Sequence, residues 1–454
     1  MNVTARSILC LLTLIWLHPV YCADAVFGSY SECIKEPVFE GKVCTVQANR
    51  DAGIGVILIH GLGGSVDDWK GTIPALAANF HVLAFDLPGF GKSDKGSQDY
   101  SPTRYAHLAH FLADHYFPDK PYYIVGHSMG GAIALRFAAL QPLRFQRLVL
   151  IDVAGILHPL VISKFAAGSL VERESGVPQT RGFTERMSGK ILEQADKLPV
   201  SPIDIANSAL GREYVFQGNP QQIAAFELAG EDFSSAIASV TQPSLIVWGE
   251  NDLTVPLRTG EVLAARMQHA RLELIADSGH VPMQDQSAKL NNLVASYLLA
   301  SDQDLAEQFH PDVQPLFAGK RVGKCSGESG KVFEGDYLSI DLRECSNITI
   351  RNARVGALTV VNSQLDLIDT DIVGKKVGLH ADNSDITITN GDISGVIAIK
   401  SEDSRLDIAG AHVSGSRDAV RGVNSKLVFS VCEVHSPHVN GYFHTYKKLI
   451  DGEL

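Results

Sequence analysis

Basic residues are in the minority in this chain: 39 Lys and Arg face 51 Asp and Glu, a formal net charge of -12. Without a cationic surplus there is no electrostatic footprint for a phosphate backbone or an anionic lipid surface, which argues against unassisted binding to either. Long apolar runs are scarce as well. The run from Ile8 to Leu17 is shorter than the ~20 residues of a bilayer-spanning helix, and no later stretch is longer. Cysteine is sparse, with seven residues in 454. No Cys-x-x-Cys pair or compact Cys/His cluster has the spacing of a zinc site, and no organic cofactor is called for.

What is present suits a multidomain globular protein. A chain of 454 residues suggests two or three domains at ~100–200 residues each. With 45% hydrophobic and 20% charged residues there is ample material for a large core. The first 25 residues read as a signal peptide: Arg6, the apolar run, helix-breaking Pro19, then small Ala23 and Ala25 as an A-x-A cleavage site, with cleavage after Cys22 as an alternative. An uncleaved anchor is the competing reading. Bulky Tyr21 before Cys22 disfavours a lipoprotein signal. The expected location is therefore secreted or periplasmic, with no membrane span after cleavage. Cys10 and Cys22 leave with the signal. Among the five that remain, sequence neighbours suggest Cys33–Cys44 and Cys325–Cys345 disulfides with Cys432 a buried thiol, although five cysteines do not fix connectivity.

Residues 26–300 alternate short apolar strands with helices. Gly55–His60, Phe80–Asp86, Tyr122–Gly126, Arg147–Asp152, Ser244–Gly249 and Arg271–Ala276 are continuous apolar runs, as strands covered on both faces require. Arg104–His115, Gly130–Leu140 and Arg258–Gln268 are the intervening helices. The pattern predicts a mostly parallel, doubly wound α/β sheet, with antiparallel edge strands from Lys35–Gln47. From about 155 to 240 the rhythm stops, and segments such as Thr184–Lys197 and Pro220–Ala229 predict an inserted helical cap. Residues 301–321, with Pro311, Pro315 and Gly319, read as a linker.

Beyond it the pattern changes. Ile348–Ile350, Leu365–Leu367, Ile386–Ile388, Leu406–Ile408 and Leu427–Phe429 are short β-branched runs, and serines at 363, 384, 404 and 425 recur every 20 or 21 residues. Each interval holds a second run: Ala357–Val360, Val377–His380, Val396–Ile399 and Ala419–Arg421. A short repeat with two or three strands and Asn/Asp/Gly/Ser turns predicts that residues 322–454 form an all-β parallel β-helix. The pattern resembles the right-handed β-helix repeats of extracellular carbohydrate-active proteins over roughly Asp336–Glu433. No calcium-binding nonapeptide appears.

The hexapeptide Gly126-His-Ser-Met-Gly-Gly131 matches G-x-S-x-G between an apolar strand and a helix. A serine hydroxyl is a poor nucleophile at neutral pH and needs a base. His280, in Ser278-Gly-His-Val-Pro282 after the last sheet strand, is placed to be that base. Asp252, in Trp248-Gly-Glu-Asn-Asp252, also follows a strand and can accept the second imidazole N–H. Asp152 is the reserve acid, with support of the cap junction as its expected role. His60-Gly-Leu-Gly-Gly64 follows the first parallel strand, so the amides of Leu62 and Met129 are the predicted oxyanion donors. His107, His110 and His115 read as a solvated helix face, and His435, His438 and His444 do not read as a metal site.

These motifs resemble the α/β-hydrolase superfamily. So do Asp86-Leu-Pro-Gly-Phe-Gly-Lys-Ser93, similar to its D-x-P-G-x-G-x-S turn, and Gly64-Ser-Val-Asp-Asp-Trp69. The resemblance covers about Gly53–Leu299 and implies an α/β-hydrolase fold with a cap and a Ser128–Asp252–His280 triad. Among subfamilies the likeness is to carboxylesterases and to C–C bond hydrolases of aromatic degradation. A serine at 128 argues against dehalogenases and epoxide hydrolases, which carry Asp there. The expected function is hydrolysis of a small-molecule or polymer-linked carboxylic ester through an acyl-enzyme. Alternatives are a C–C hydrolase of meta-cleavage-product type, or a carbohydrate- or surface-binding protein with an inactive core. The expected partner of the C-terminal domain is a polysaccharide or another protein.

Overall fold

The computed structural model describes residues 32–96, 99–162, 208–308 and 319–454. The N-terminal 25 residues and Thr184–Lys197 of the expected cap lie outside these. The chain splits into two compact units, one within Met1–Gly260 and Met267–Phe309, the other within Glu261–Arg266 and His310–Leu454.

The first unit is built on an eight-stranded sheet. Its strands are β1 (Glu32–Lys35), β2 (Lys42–Ala48), β3 (Gly55–Ile59), β4 (His81–Phe85), β5 (Tyr122–His127), β6 (Phe145–Ile151), β7 (Ser244–Gly249) and β8 (Ala270–Ile275). The order is β1-β2-β4-β3-β5-β6-β7-β8. β1 and β2 are the antiparallel edge, joined by a Cys33–Cys44 disulfide; β3 to β8 run parallel. The continuous apolar runs are explained by burial on both faces. Val56, Leu58, Val82, Ala84, Val125, Val149 and Val247 enter one core, which also takes Ile73 and Leu76 of α1 (Thr72–Ala77). Their strand neighbours Ile57, Leu83, Ile124, Leu148 and Ile246 point the other way and are equally buried. Between and after the strands lie α2 (Pro102–Tyr116), α3 (Met129–Leu140), α4 (Pro220–Gly230), α5 (Ser234–Ser239), α6 (Arg258–Arg266, of which Glu261–Arg266 fall in the second unit), α7 (Pro282–Asp285) and α8 (Ser287–Leu299).

The stretch read as a linker differs from expectation at its start. A helix, α9 (Asp302–Gln308), occupies it, and Leu305 is buried in the same core as the sheet. Buried Arg147 gives the reason. Its guanidinium donates to the carbonyls of Tyr297, Leu298 and Ala300 and meets Asp302 at 2.9 Å, so the chain stays attached beyond the end of α8.

The second unit is an 11-stranded all-β coil whose neighbouring strands are parallel except at the last pairing. Ile348, Leu365, Ile386, Leu406 and Leu427 stack in register, and so do Ile350, Leu367, Ile388, Ile408 and Phe429. All ten are buried in one core. The serine spacing has a direct cause. Ser384 Oγ accepts the Ser363 N–H at 3.1 Å, Ser404 Oγ accepts that of Ser384 at 3.0 Å, and Ser425 Oγ that of Ser404 at 3.3 Å. The residues just before them, Asn362, Asn383, Asp403 and Asn424, hold φ between 44° and 49°, where Asn and Asp are the non-glycine residues best tolerated. The final strand, β19 (Asn440–Glu453), pairs antiparallel with β18 (His412–His435) and so breaks the repeat. A Cys325–Cys345 disulfide lies within this unit, and Cys432 is a buried thiol outside both bridges.

Candidate active site

Ser128 sits at the turn between β5 and α3 with φ 53° and ψ -121°. That conformation is costly for a residue with a Cβ and persists only where the surroundings enforce it. The neighbouring glycines are the enforcement. A Cβ on Gly126 would lie 2.2 Å from the Gly130 carbonyl oxygen, and one on Gly130 would lie 2.2 Å from that of Ile59. The elbow is thus pressed against the end of β3, and any side chain at either position would push it away.

His280 Nε2 is 3.0 Å from Ser128 Oγ, and His280 Nδ1 is 2.8 Å from Asp252 Oδ2. The tautomer follows from the partners: Nδ1 carries the proton toward the carboxylate, and Nε2 accepts from the hydroxyl. Asp252 Oδ1 accepts the N–H groups of Thr254 at 2.7 Å and Val255 at 3.0 Å. The turn carrying His280 is anchored by Asp285, whose Oδ2 accepts the Gly279 N–H at 2.9 Å. His127, next to the serine, donates from Nε2 to the His280 carbonyl at 2.7 Å. Burial, reinforced by His280, pushes the His127 pKa down to about 3, so it is a neutral strut at physiological pH.

The loop after β3 lies against the serine: a Cβ on Gly61 would meet the Ser128 Cβ at 3.1 Å. Neither Leu62 nor Met129 donates its amide to a hydrogen bond among the described residues. His60 stiffens this loop, with Nδ1 to the Gly61 carbonyl at 2.8 Å and Nε2 accepting the Leu87 N–H at 3.0 Å. The Asp86–Ser93 turn is stapled by Asp86, whose carboxylate accepts the N–H groups of Val66 at 2.8 Å and Lys92 at 2.7 Å. That explains why an acid opens the turn motif.

Ser128, Asp252, His280 and the loops carrying Leu62 and Met129 therefore converge, and Asp152 lies beside Asp252 without bonding the imidazole. Among the described residues it bonds neither His280 nor a cap segment, and most of the expected cap lies outside the described residues. Its Oδ1 accepts the Gly249 N–H at 2.8 Å, and Asp252, not Asp152, bonds the imidazole. His127 and Asp285 match no motif as supports, and only their tertiary contacts with the His280 turn reveal them. On α2, His107 and His115 are exposed and His110 is half-buried beside Asp114. The C-terminal histidines separate: His435 lies with His412 and Glu433, and His438 with Asp418 and Glu453. These two groups, and Asp152 with Asp252 and His280, are the sets among the described residues whose ligand atoms could reach one cation.

A family model described as the alpha/beta hydrolase family matches residues 56–293. An uncharacterized protein of Mycobacterium tuberculosis is 30% identical over 277 residues, covering 56% of this chain and 78% of that protein. A monoacylglycerol lipase of Xenopus laevis is 25% identical over 252 residues, covering 54% and 74%. A 2-hydroxy-6-oxononadienedioate/2-hydroxy-6-oxononatrienedioate hydrolase of Pseudomonas putida is 27% identical over 272 residues, covering 57% and 93%. Among solved structures, a putative lipase from Acinetobacter baumannii superposes with a TM-score of 0.46 at 21% identity, covering 68% of this chain and 98% of that one.

Proposed function

Because the chain belongs to the alpha/beta hydrolase family, we propose that it is a serine hydrolase that cleaves carboxylic esters through an acyl-enzyme. The observation that carries this reading is the continuous chain Ser128–His280–Asp252, at 3.0 and 2.8 Å, with the Leu62 and Met129 amides donating to no hydrogen bond among the described residues. Ser128 Oγ attacks the ester carbonyl carbon while His280 Nε2 takes the hydroxyl proton. The negative charge that develops on the carbonyl oxygen is met by the Leu62 and Met129 N–H groups. Collapse breaks the C–O bond, and the leaving alcohol receives the proton from His280. Water, deprotonated by the same nitrogen, then releases the acid and regenerates Ser128. Asp252 fixes the imidazole tautomer and faces the imidazolium formed midway.

C–C cleavage of a vinylogous diketone acid is the second reading, since the same triad could serve it and a hydrolase of Pseudomonas putida is among the similar proteins. A panel of aryl esters, glycerides, acetylated sugars and diketone acids, assayed on purified protein, separates the two. Turnover of diketone acids without ester turnover would overturn the ester reading.

Export to an oxidising compartment fits the two disulfides, and no described helix is long and apolar enough to cross a membrane. We assign the C-terminal unit a binding role toward a polysaccharide or another protein, on the strength of its rigid coil and polar outer turns. The substrate would then be presented as a polymer-linked ester.

A further inference from the structure

One buried carboxylate next to this chain of residues has no task in the reaction as written. Asp152 follows β6, is fully buried, and holds φ at 43°, a conformation that a non-glycine residue keeps only under constraint. The constraint comes from β7, the strand that delivers Asp252. Asp152 N–H donates to the Val247 carbonyl at 3.0 Å, and its Oδ1 accepts the Gly249 N–H at 2.8 Å. Its Oδ2 is equally buried and has no hydrogen-bond partner as a bare carboxylate. The Asp252 carboxyl lies close by: Asp152, Asp252 and His280 each place one side-chain N or O atom within 4.8 Å of the others.

Two buried carboxylates at that separation do not both ionise, because like charges in a low-dielectric site repel strongly. Donor placement decides which one keeps the proton. Asp252 receives three N–H donors, from His280, Thr254 and Val255. Asp152 receives one. Burial first, then the charge of Asp252, pushes the Asp152 pKa well above the carboxylate range, and Asp285 adds in the same direction. A proton on Oδ2 would turn the orphan oxygen into a donor next to the Asp252 carboxyl.

We infer that Asp152 is a protonated positioning residue, whose Oδ2–H donates to the Asp252 carboxylate and holds it aimed at His280 Nδ1. The inference rests on the triad assignment above. Its chemical consequence is twofold. The added donor fills a further lone pair of the Asp252 carboxylate and fixes its orientation, so the imidazole proton stays on Nδ1. The neutral Asp152 adds no second negative charge beside the imidazolium.

The test uses the full-length protein and a readout that needs no substrate. In protein labelled with carboxyl-13C aspartate, infrared spectra at pH 7 should contain a protonated-aspartate C=O band that persists in Ser128→Ala and is lost in Asp152→Asn. Aspartate labelling removes protonated glutamates from the comparison, and Asp68→Asn with Asp371→Asn in both backgrounds removes the other two described aspartates with a raised pKa. If Asp152→Asn does not fold, Asp152→Glu serves, by moving the band out of the labelled set. With 4-nitrophenyl acetate, Asp152→Asn should stay within ~5-fold of wild-type kcat with the acidic limb of kcat/KM unmoved, since the amide still donates to Asp252. Asp152→Ala, which removes the donor, should lose roughly 100-fold in kcat with little change in KM.

Absence of the band while turnover is intact overturns the inference and leaves the ester reading standing. Presence of the band without ester turnover supports the inference and removes the ester reading. A loss in Asp152→Asn as deep as in Asp252→Asn also overturns it, because Asp152 would then be acting as an anion.

Discussion

Gly249 and Gly279 approach so closely that a Cβ on Gly249 would lie 1.9 Å from the Gly279 carbonyl oxygen. Gly249 ends β7 three residues before Asp252, and Gly279 precedes His280. Their contact sets the spacing between the acid and the base. Gly249→Ala should therefore force the two turns apart. The expected cost is about 1–3 kcal/mol of unfolding free energy, measured by urea titration. The loss of kcat, corrected to folded protein, should exceed 10-fold, because reacting groups tolerate little displacement. Unchanged kcat would show that the contact does not position the pair.

Ser128→Ala should lower kcat by roughly 10⁴–10⁶ without unfolding the elbow, because the turn depends on the glycines and not on the hydroxyl. Circular dichroism and the thermal midpoint should match wild type. A fluorophosphonate probe should label wild-type protein at Ser128 and leave the variant unlabelled. Labelling of the variant would place the nucleophile elsewhere.

Replacing Asp252 by Asn should reduce kcat by about 10⁴-fold through the wrong imidazole tautomer, with KM nearly unchanged. The variant keeps the size of the side chain and the backbone N–H contacts at Oδ1. A large loss thus reports the tautomer and charge and not a collapsed turn, and a loss below 10-fold would reject the assignment of the acid.

Glu227 on α4 predicts a pH effect on stability. Burial, with Asp99 next and against the Tyr100 N–H and Arg212, pushes its pKa up to about 8. A folded pKa raised above the unfolded value means stability that is fully present below about 4.5 and is lost as pH rises through 8. His81, pushed down to about 4 mainly by burial, works oppositely, but its effect is complete above about 6.5. Between pH 6.5 and 8 the thermal midpoint of wild type should therefore fall relative to that of Glu227→Gln, which keeps an acceptor for Tyr100 N–H and carries no charge. Parallel curves for the two proteins in that window would refute the raised value.

A chain ending at Gln308 tests the C-terminal unit. The cut retains α9, and with it buried Leu305 and the Asp302 partner of Arg147. The shortened enzyme should hydrolyse a small aryl ester with the full-length kcat and lose retention on an ester-bearing polysaccharide matrix. A folded truncation without aryl-ester activity would mean that the C-terminal unit contributes to the active site, against the role assigned to it.

The sequence by itself determined the elements whose signal is local. Continuous apolar runs placed β3 to β8 to within about two residues, because a strand buried on both faces has no polar alternation to blur it. The serine period announced the coil, because a parallel stack repeats its turn chemistry at every rung. Ser128, His280 and Asp252 were legible from motif and chain order, since a strained elbow and strand-end loops leave fixed residue types behind. Only the tertiary structure decided what depends on distant approach. The Asp152 carboxylate turns to β7 and Asp252 because the end of β6 abuts β7, a relation that no spacing along the chain encodes. The strut from His127 to His280 spans 153 residues, and α9 is kept on the first unit by Arg147, far earlier in the sequence. The antiparallel β19 followed from pairing with β18, since once the repeat ends the last rung has an open edge and the hydrogen-bonding groups there need a partner.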